Sequence, residues 1–367
     1  MQIPQMDLSR QHDQIKQELI DTFIEVITAN QYILGERVQQ FEKRLAKLTE
    51  TNFAVGVASG TDALRLSLAA LDVKCGDEVI TTPFSFVASA DVIVRAGATP
   101  VFVDINPTTY NISGEKLKSA VTRKTKAVIV VHLYGLPCNM TAIQPLCKKR
   151  DIALIEDCAQ ALGAEVEGRH VGGWGTIGCH SFFPTKTLGG FGDGGACTLN
   201  DAELAGRLSS LRVHGSVKKY YSEEIGFKSR LDALQAALLS VKLKLFPRWA
   251  KMRTAAAKLY TERLQDLPIV LPITPPGRLH AYHQYTIRTP QRDKLFTHLH
   301  KAGISPAIYY PTPIHLQPAF SFLGLGAGSF PEAEKAAKEV ITLPLFPGIT
   351  VDEIDYVAEK VREFFKP

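Results

Sequence analysis

FAVGVASGTDALRLSLAAL, residues 53–71, is the stretch that decides the fold. Its first part, 53–59, is a short apolar run typical of a buried strand. The second part, 61–71, has apolar residues three and four positions apart, as one face of a helix requires. A buried strand that is followed at once by a helix predicts a unit of the α/β class.

The same alternation repeats along the first half of the chain. Further strands are predicted at 77–82, 99–105, 126–133 and 151–157. The predicted helices are 10–29, 36–49, 86–96, 115–121 and 140–150. Because strands this apolar alternate with helices, we expect an α/β fold with a mixed, mostly parallel sheet that is covered on both faces.

The pattern changes after residue 200. Long helices are predicted at 202–213 and 230–246, and the proline-rich stretch 268–278 is typical of a passage between domains. Beyond it the predicted elements are a strand and two helices: 283–289, 292–303 and 351–365. We therefore expect a large domain at 1–245 and a smaller α+β domain at 246–367.

Composition excludes several classes of protein. The net charge of +5 is spread without a dense basic stripe, which argues against a nucleic-acid partner. The chain has no apolar run of membrane-spanning length, and its start lacks the apolar region of a signal peptide. The six cysteines form no CxxC pair, so we expect reduced thiols in a cytoplasmic protein, and no metal site.

Four short segments follow predicted strands: Ser59–Thr61, Pro83–Phe86, His132–Tyr134 and Asp157–Gln160. Ligands of such sheets bind at the carboxyl ends of the strands, so we expect these segments to face one cleft. The free N–H groups of the helix that begins near Gly60 and Thr61 are suited to a phosphate group. Phe86 lies just past a strand end, where its ring can stack on a flat aromatic ligand.

Two charged residues add to this cleft. Asp157 ends a central strand, where a buried carboxylate needs a cationic or donor partner, and a protonated pyridine nitrogen is one such partner. Lys186 lies alone in SFFPTKTLGGFGDGG (181–195), ahead of a run of glycines. Taken singly, it is also compatible with an ordinary loop lysine whose ammonium group is solvated.

The order of these motifs resembles the DegT family of sugar nucleotide aminotransferases. The resemblance runs from YILGERVQQFE (32–42) to YYPTPIHLQPAF (309–320) and includes IEDCAQALGA (155–164) and the stretch around Lys186. It implies the type I fold of pyridoxal phosphate enzymes. It also implies a homodimer with active sites at the interface, and pyridoxal 5'-phosphate as the cofactor.

The resemblance assigns roles to residues of the cleft. Lys186 would hold the cofactor as a Schiff base and act as the catalytic base. Asp157 would pair with the pyridine nitrogen, Gln160 with the ring hydroxyl, and Phe86 would stack on the ring. Three residues would hold the phosphate: Gly60, Thr61 and Ser181.

One departure from the family pattern concerns the contact between subunits. Where members commonly carry an asparagine that reaches the partner's cofactor phosphate, this chain has Lys228. A lysine keeps a donor and adds charge, so the contact remains possible, and a solvated side chain is the alternative. Arg230 would reach a substrate anion across the interface or form a structural ion pair. Other expected substrate contacts are Tyr32, Lys219, Tyr309, Tyr310 and His315.

The expected reaction is transfer of an amino group from L-glutamate to a nucleotide-linked keto sugar. The keto group would be at position 3 or 4 of the sugar, and a 3-keto sugar linked to UDP or dTDP fits the resemblance best. Two alternatives remain open at this point. One is a sugar dehydratase on the same fold, although such relatives replace the cofactor lysine with histidine. The other is a regulator that keeps the homodimer and has no enzymatic activity.

Overall fold

The structure is a computed structural model that describes residues 1–366. Its strands are β1 (Phe53–Val57), β2 (Glu78–Thr81), β3 (Thr99–Phe102), β4 (Thr125–Val131), β5 (Ala153–Asp157), β6 (Glu165–Val166), β7 (Arg169–His170), β8 (Ile177–Ser181), β9 (Gly195–Leu199), β10 (Ser216–Lys218), β11 (Tyr221–Ser222), β12 (Arg278–Leu279), β13 (Tyr285–Arg288) and β14 (Val340–Leu343).

The α-helices alternate with these strands in the first half of the chain, as the sequence predicts. They are α1 (Ser9–His12), α2 (Lys16–Ala29), α3 (Glu36–Leu48), α4 (Gly60–Ala70), α5 (Ala88–Arg95), α6 (Gly114–Ala120), α7 (Met140–Lys149), α8 (Ala202–Leu211), α9 (Ala233–Leu264), α10 (Arg292–Lys301), α11 (Pro331–Glu339) and α12 (Val351–Phe365). Within residues 1–366, none of these helices combines the length and apolarity needed to span a membrane.

A seven-stranded sheet in the order β1-β9-β8-β5-β4-β2-β3 forms the centre of the first 200 residues. Strands β2, β3, β4, β5 and β8 run parallel, whereas β9 is antiparallel to both of its neighbours. The mixed, mostly parallel sheet predicted from the sequence is thereby confirmed. The carboxyl ends of β1, β2, β4, β5 and β8 lie at the same edge, which is where the site is built.

Both faces of this sheet are buried. Along β4, Ile129 packs with the cluster that includes Leu66 of α4 and Leu208 of α8. Its neighbours Val128 and Val130 point to the opposite face and pack with the cluster that includes Ile143 of α7. Since successive strand residues face opposite sides, a strand covered by helices on both faces is apolar throughout.

A second core lies in the C-terminal part of the chain. It joins the end of α9 to the β13–β14 pair, α10 and α12, with Tyr260, Ile287 and Val357 among its fully buried members. The N-terminal Ile3 also belongs to this core and forms a parallel bridge with Ile304. The division at 245/246 stays a prediction, and that position lies within α9.

Two helices differ from their predicted bounds. The helix expected at 10–29 is interrupted by a 3₁₀ turn at Asp13–Ile15, and α2 begins after it. The helix expected at 230–246 continues to Leu264 and contains Pro247. Because Trp249 and Tyr260 are both buried along the extension, tertiary packing outweighs the usual helix-breaking effect of a proline.

Candidate functional site

A cavity of about 740 Å³ opens at the carboxyl edge of the large sheet. It is lined by segments that follow β1, β2, β5 and β8, together with residues from the N-terminus and from the C-terminal part. Most of the residues predicted from the sequence meet here: Gly60, Thr61, Phe86, Asp157, Gln160, Ser181, Lys186, Tyr309 and Tyr310. The structure thus brings together residues that lie up to 250 positions apart, from Gly60 to Tyr310.

The start of α4 forms one wall of the cavity. The Ser59 hydroxyl caps the helix by accepting a hydrogen bond from the Asp62 N–H at 3.1 Å. A Cβ added to Gly60 would lie 2.7 Å from the Ser181 Cβ, so only glycine fits at this position. The N–H groups of the first helical turn, at Gly60 and Thr61, have no carbonyl partner within the helix. They face the end of β8 and are suited to an anion.

Asp157 ends β5 with its carboxylate in the cavity. The side chain is 7% exposed, and it accepts hydrogen bonds from the Ser89 hydroxyl at 2.9 Å and from the Ala159 N–H at 3.1 Å. Burial raises the pKa of Asp157 despite these donors and the charge of Lys186. Among residues 1–366, no basic side chain lies within ion-pair distance of this carboxylate. The site therefore has room for a cationic partner from a ligand.

Lys186 also faces the cavity. Burial lowers the pKa of its ammonium group to about 8, although the nearby charge of Asp157 acts in the opposite direction. A tight turn presents the lysine: its N–H donates to the Phe183 carbonyl at 2.8 Å. A Cβ on Gly189 would lie only 2.0 Å from the Pro184 carbonyl oxygen, so the chain can fold back beneath Lys186 only with glycine there. An amine with this pKa is partly neutral at neutral pH and can act as a nucleophile or base.

Gln160 connects the sheet edge to the tyrosines. Its Oε1 accepts from the Tyr134 N–H at 2.6 Å, and its Nε2 donates to the Tyr310 hydroxyl at 3.1 Å. Burial raises the pKa of Tyr310, so its phenol stays neutral. The Phe86 ring is 55% exposed and lies 6.2 Å from the Tyr310 ring, measured between centroids. An aromatic face is thus open to a flat ligand in the cavity that Asp157 also lines.

Some predicted residues do not reach the cavity. Tyr32, Lys219 and Lys228 are exposed and Arg230 is partly buried, and none of them lines the cavity of a single chain. His315 does not line the cavity either: its side chain has no exposed surface, and its Nε2 lies 3.1 Å from Glu334 Oε1. The proline-bracketed turn directs this imidazole into the protein instead of the cavity.

The segment His132–Tyr134 does not itself line the cavity, although Tyr134 contacts the cavity residues Gln160 and Tyr309. His132 is fully buried, and its Nε2 lies 3.0 Å from Glu156 Oε2. Its Nδ1 accepts from the Cys138 N–H at 3.0 Å. Burial opposes ionisation of Glu156, but hydrogen bonds from His132, Gly172 and Gly175 outweigh it and lower the pKa.

The same hydrogen-bond network accounts for a group of side chains that are spaced as metal ligands would be. The ligand atoms of His132, Glu156 and Cys158 lie within 4.8 Å of one another. Glu156 accepts three backbone N–H groups of the following loop at 2.7–3.0 Å. The cluster is therefore a hydrogen-bonded anchor for the loop at 172–175, on the face of the sheet away from Lys186.

The cavity has further residues that the sequence did not indicate. Gln5 and Met6 come from the N-terminal segment, and His283, Gln284 and Leu345 come from the C-terminal part. They lie in loops without a periodic pattern or motif, so only tertiary structure places them here. The Ile3–Ile304 bridge is what brings the N-terminal segment to this wall.

The sequence matches the DegT/DnrJ/EryC1/StrS aminotransferase family over residues 13–362. It is 47% identical over 369 residues to a protein of Geobacillus stearothermophilus called pleiotropic regulatory protein, and the match covers 100% of this chain and 99% of the relative. It is 41% identical over 360 residues to the UDP-N-acetyl-3-dehydro-alpha-D-glucosamine 3-aminotransferase of Acidithiobacillus ferrooxidans, with 98% and 97% covered.

The fold agrees with solved structures. The chain matches DesV of S. venezuelae, solved in complex with a ketimine intermediate, with a TM-score of 0.98 and 38% identity, over 100% of this chain and 99% of that chain. Other solved relatives hold pyridoxal or pyridoxamine phosphate. A helix start suited to a phosphate, a buried carboxylate and a lysine with lowered pKa fit this group. The chain therefore belongs to the DegT/DnrJ/EryC1/StrS aminotransferase family, and pyridoxal phosphate is its cofactor.

Proposed function

We propose that this protein transfers an amino group from L-glutamate to the keto carbon of a 3-keto sugar linked to UDP or dTDP. The observation that carries the proposal is the cavity in which Lys186, Asp157 and the start of α4 meet. The relative from Acidithiobacillus ferrooxidans, whose name specifies a UDP-linked 3-keto sugar, supports the choice of substrate. We place the reaction in the cytoplasm, as the reduced cysteines suggest.

The cavity residues would hold the cofactor as follows. The N–H groups of Gly60 and Thr61 and the Ser181 hydroxyl would bind its phosphate. Asp157 would accept a hydrogen bond from the ring nitrogen, and the second N–H of Gln160 Nε2 is available for the ring hydroxyl. Phe86 would cover the ring.

Lys186 would carry the chemistry. When bound, the cofactor supplies an electron-withdrawing ring that stabilises negative charge at the reacting carbon. Lys186 Nζ would hold the cofactor covalently at rest. Once displaced by the donor, the free amine would remove the proton from the donor α-carbon, and in the second half of the reaction it would return a proton to the sugar carbon. With a pKa of about 8, about a tenth of Lys186 is neutral at pH 7.

The reaction is tested with the holoprotein in two separate steps. L-Glutamate alone should remove the visible absorbance of the bound cofactor and release one equivalent of 2-oxoglutarate per site. Adding UDP-N-acetyl-3-dehydro-D-glucosamine should then restore the absorbance and form the amino sugar. A dehydratase would release no 2-oxoglutarate in each turnover, and a regulator would show no absorbance change. Either outcome contradicts the proposal.

We also propose a homodimer that covers an apolar surface on α2 and just beyond it. Four residues on one face of α2 are 43–54% exposed: Ile20, Phe23, Ile24 and Ile27. Tyr32 and Ile33, just beyond that helix, are 44% and 52% exposed. A continuous apolar surface of this kind is typical of a subunit interface. In such a dimer Lys228 would donate to the cofactor phosphate of the other subunit, and Arg230 and Lys219 would face the nucleotide.

Replacing Lys228 by alanine should weaken cofactor binding about tenfold, because a hydrogen bond to a charged group is lost. Mixed dimers of Lys228→Ala and Lys186→Ala subunits provide the decisive measurement. If Lys228 acts across the interface, each mixed dimer contains one site with both lysines, and activity at limiting cofactor should exceed that of either variant alone. No gain on mixing would place Lys228 in its own subunit's site or outside any site.

A further inference from the structure

The cavity has a second polar wall, opposite the start of α4, that the roles assigned above do not use. Gln5, His283 and Gln284 form it. His283 and Gln284 are only 6% and 7% exposed. Within residues 1–366, three atoms of this wall have no hydrogen-bond partner: Gln5 Oε1, His283 Nδ1 and Gln284 Oε1. Buried polar groups are nearly always hydrogen-bonded, so three unpaired buried atoms in residues of one cavity wall favour a ligand that these side chains would turn to meet.

A buried positive charge lies directly behind this wall. Arg253 is 1% exposed, and its Nη1 donates to the carbonyls of Leu345 at 3.0 Å and His283 at 3.4 Å, which both belong to cavity residues. Its Nε and Nη2 have no partner, and no carboxylate pairs with it in the part of the chain that the structure describes. Burial without an acidic partner lowers the pKa of Arg253 to about 10.

The wall lines the same cavity as Lys186. The His283 N–H lies beside Gly135, where an added Cβ would be 3.0 Å from both the His283 nitrogen and the Gln160 carbonyl oxygen. Burial and then the charges of Lys186 and Arg253 lower the pKa of His283 well below its usual value, so its imidazole is neutral. It therefore offers one N–H donor and no charge of its own.

We propose that this wall binds the α-carboxylate of the amino donor, with His283 and Gln284 as donors and Arg253 as the compensating charge. The inference rests on the proposed function, since it presumes an amino acid as the donor. In such a donor the α-carboxylate lies next to the carbon from which Lys186 would remove a proton, and Lys186 and this wall line the same cavity. Rotating either glutamine amide presents its NH₂ group instead of its oxygen. A sugar hydroxyl would also pair with these groups, but it would leave the charge of Arg253 uncompensated.

The test compares charge and shape at position 284. Gln284→Glu places a negative charge against the carboxylate, and Gln284→Met has a similar length without a charge. In the holoprotein we expect Gln284→Glu to raise the Kd for L-glutamate by about 100-fold and Gln284→Met by about tenfold. The limiting rate of absorbance loss should change by less than about threefold, because binding and not proton transfer is affected.

A second measurement does not depend on turnover. Titration with glutarate, which has carboxylates but no amine, measures carboxylate binding directly by calorimetry, and the same order of Kd values is expected. Arg253→Met should weaken glutarate binding and Arg253→Lys should restore most of it. Thermal unfolding shows whether each variant is folded.

Two results would overturn the inference. One is a glutarate Kd that is equal in the wild type and in Gln284→Glu. The other is a normal glutamate step with slowed reaction of the keto sugar, which would assign the wall to the sugar. If the wild type fails to react with glutamate, the proposed function fails, while the glutarate titration still tests this wall.

Discussion

Replacing Lys186 by alanine is expected to lower transamination by about 10⁴-fold or more. The variant lacks both the amine that holds the cofactor and the base that moves the proton at the donor α-carbon. The loss should appear in the glutamate step and in the keto-sugar step alike, measured separately by stopped-flow absorbance. The variant should still fold, because Lys186 lies at the cavity surface, and its thermal unfolding temperature should stay close to that of the wild type.

A second buried lysine provides the control for this assignment. Burial lowers the pKa of Lys242 to about 8, as it does for Lys186, but Lys242 lies outside the cavity, with its Nζ 3.2 Å from His12 Nε2. Borohydride reduction of the holoprotein followed by peptide mapping should label Lys186 alone. If amine reactivity alone decided the attachment site, Lys242 would be labelled too. Undiminished turnover of Lys186→Ala would contradict the assignment outright.

Asp157→Asn should lower the rate of the glutamate step by about 10²- to 10³-fold. The amide has the size of the carboxylate but no negative charge, so it cannot keep a proton on the ring nitrogen of the cofactor. Single-turnover absorbance with saturating glutamate measures the effect without interference from donor binding. A rate within threefold of the wild type would show that the carboxylate is not paired with the ring.

The neighbouring carboxylate gives a matched control for this variant. Glu156 lies next to Asp157 in β5 but points to the other face of the sheet, where it anchors the loop at 172–175. Glu156→Gln should lower the free energy of unfolding by about 2–4 kcal/mol, because it weakens a fully buried hydrogen-bonded network. Its folded fraction should react with glutamate at nearly the wild-type rate. Comparing the two variants thus distinguishes an effect on stability from an effect on catalysis.

Within the seven-stranded sheet, the sequence predicted β1 to β5 but not β9. The residues of β9, GACTL, are small, and a small-residue strand has little periodic signal. Packing explains the composition: a Cβ on Gly195 would lie 2.3 Å from the Ser59 carbonyl carbon. The strand passes directly behind the turn into α4, where larger residues do not fit. The length of α9 could not be predicted for a related reason. Pro247 favours an end of the helix, and only tertiary packing beyond it shows that the helix continues.

The residues of the site also fall into those that a local sequence pattern predicts and those that only tertiary packing brings together. Asp157, Lys186 and Gly60 follow strands or precede glycine turns, so strand periodicity and motifs identify them. Gln5 and His283 become neighbours only through contacts between the two ends of the chain, which no local pattern encodes. The side on which the His315 imidazole lies could not be predicted, because a proline-rich turn fixes the backbone but not the direction of that side chain.

The bridge between Ile3 and Ile304 also bears on how the molecule is made. The sheet residues up to Leu199 have left the ribosome well before Ile304 is translated, and domains generally begin to fold as they emerge. The N-terminal segment therefore stays unpaired until the chain around Ile304 has been synthesised. Only then can Gln5 reach the cavity. A nascent chain that already contains Lys186 and Asp157 therefore still lacks one wall of the cavity.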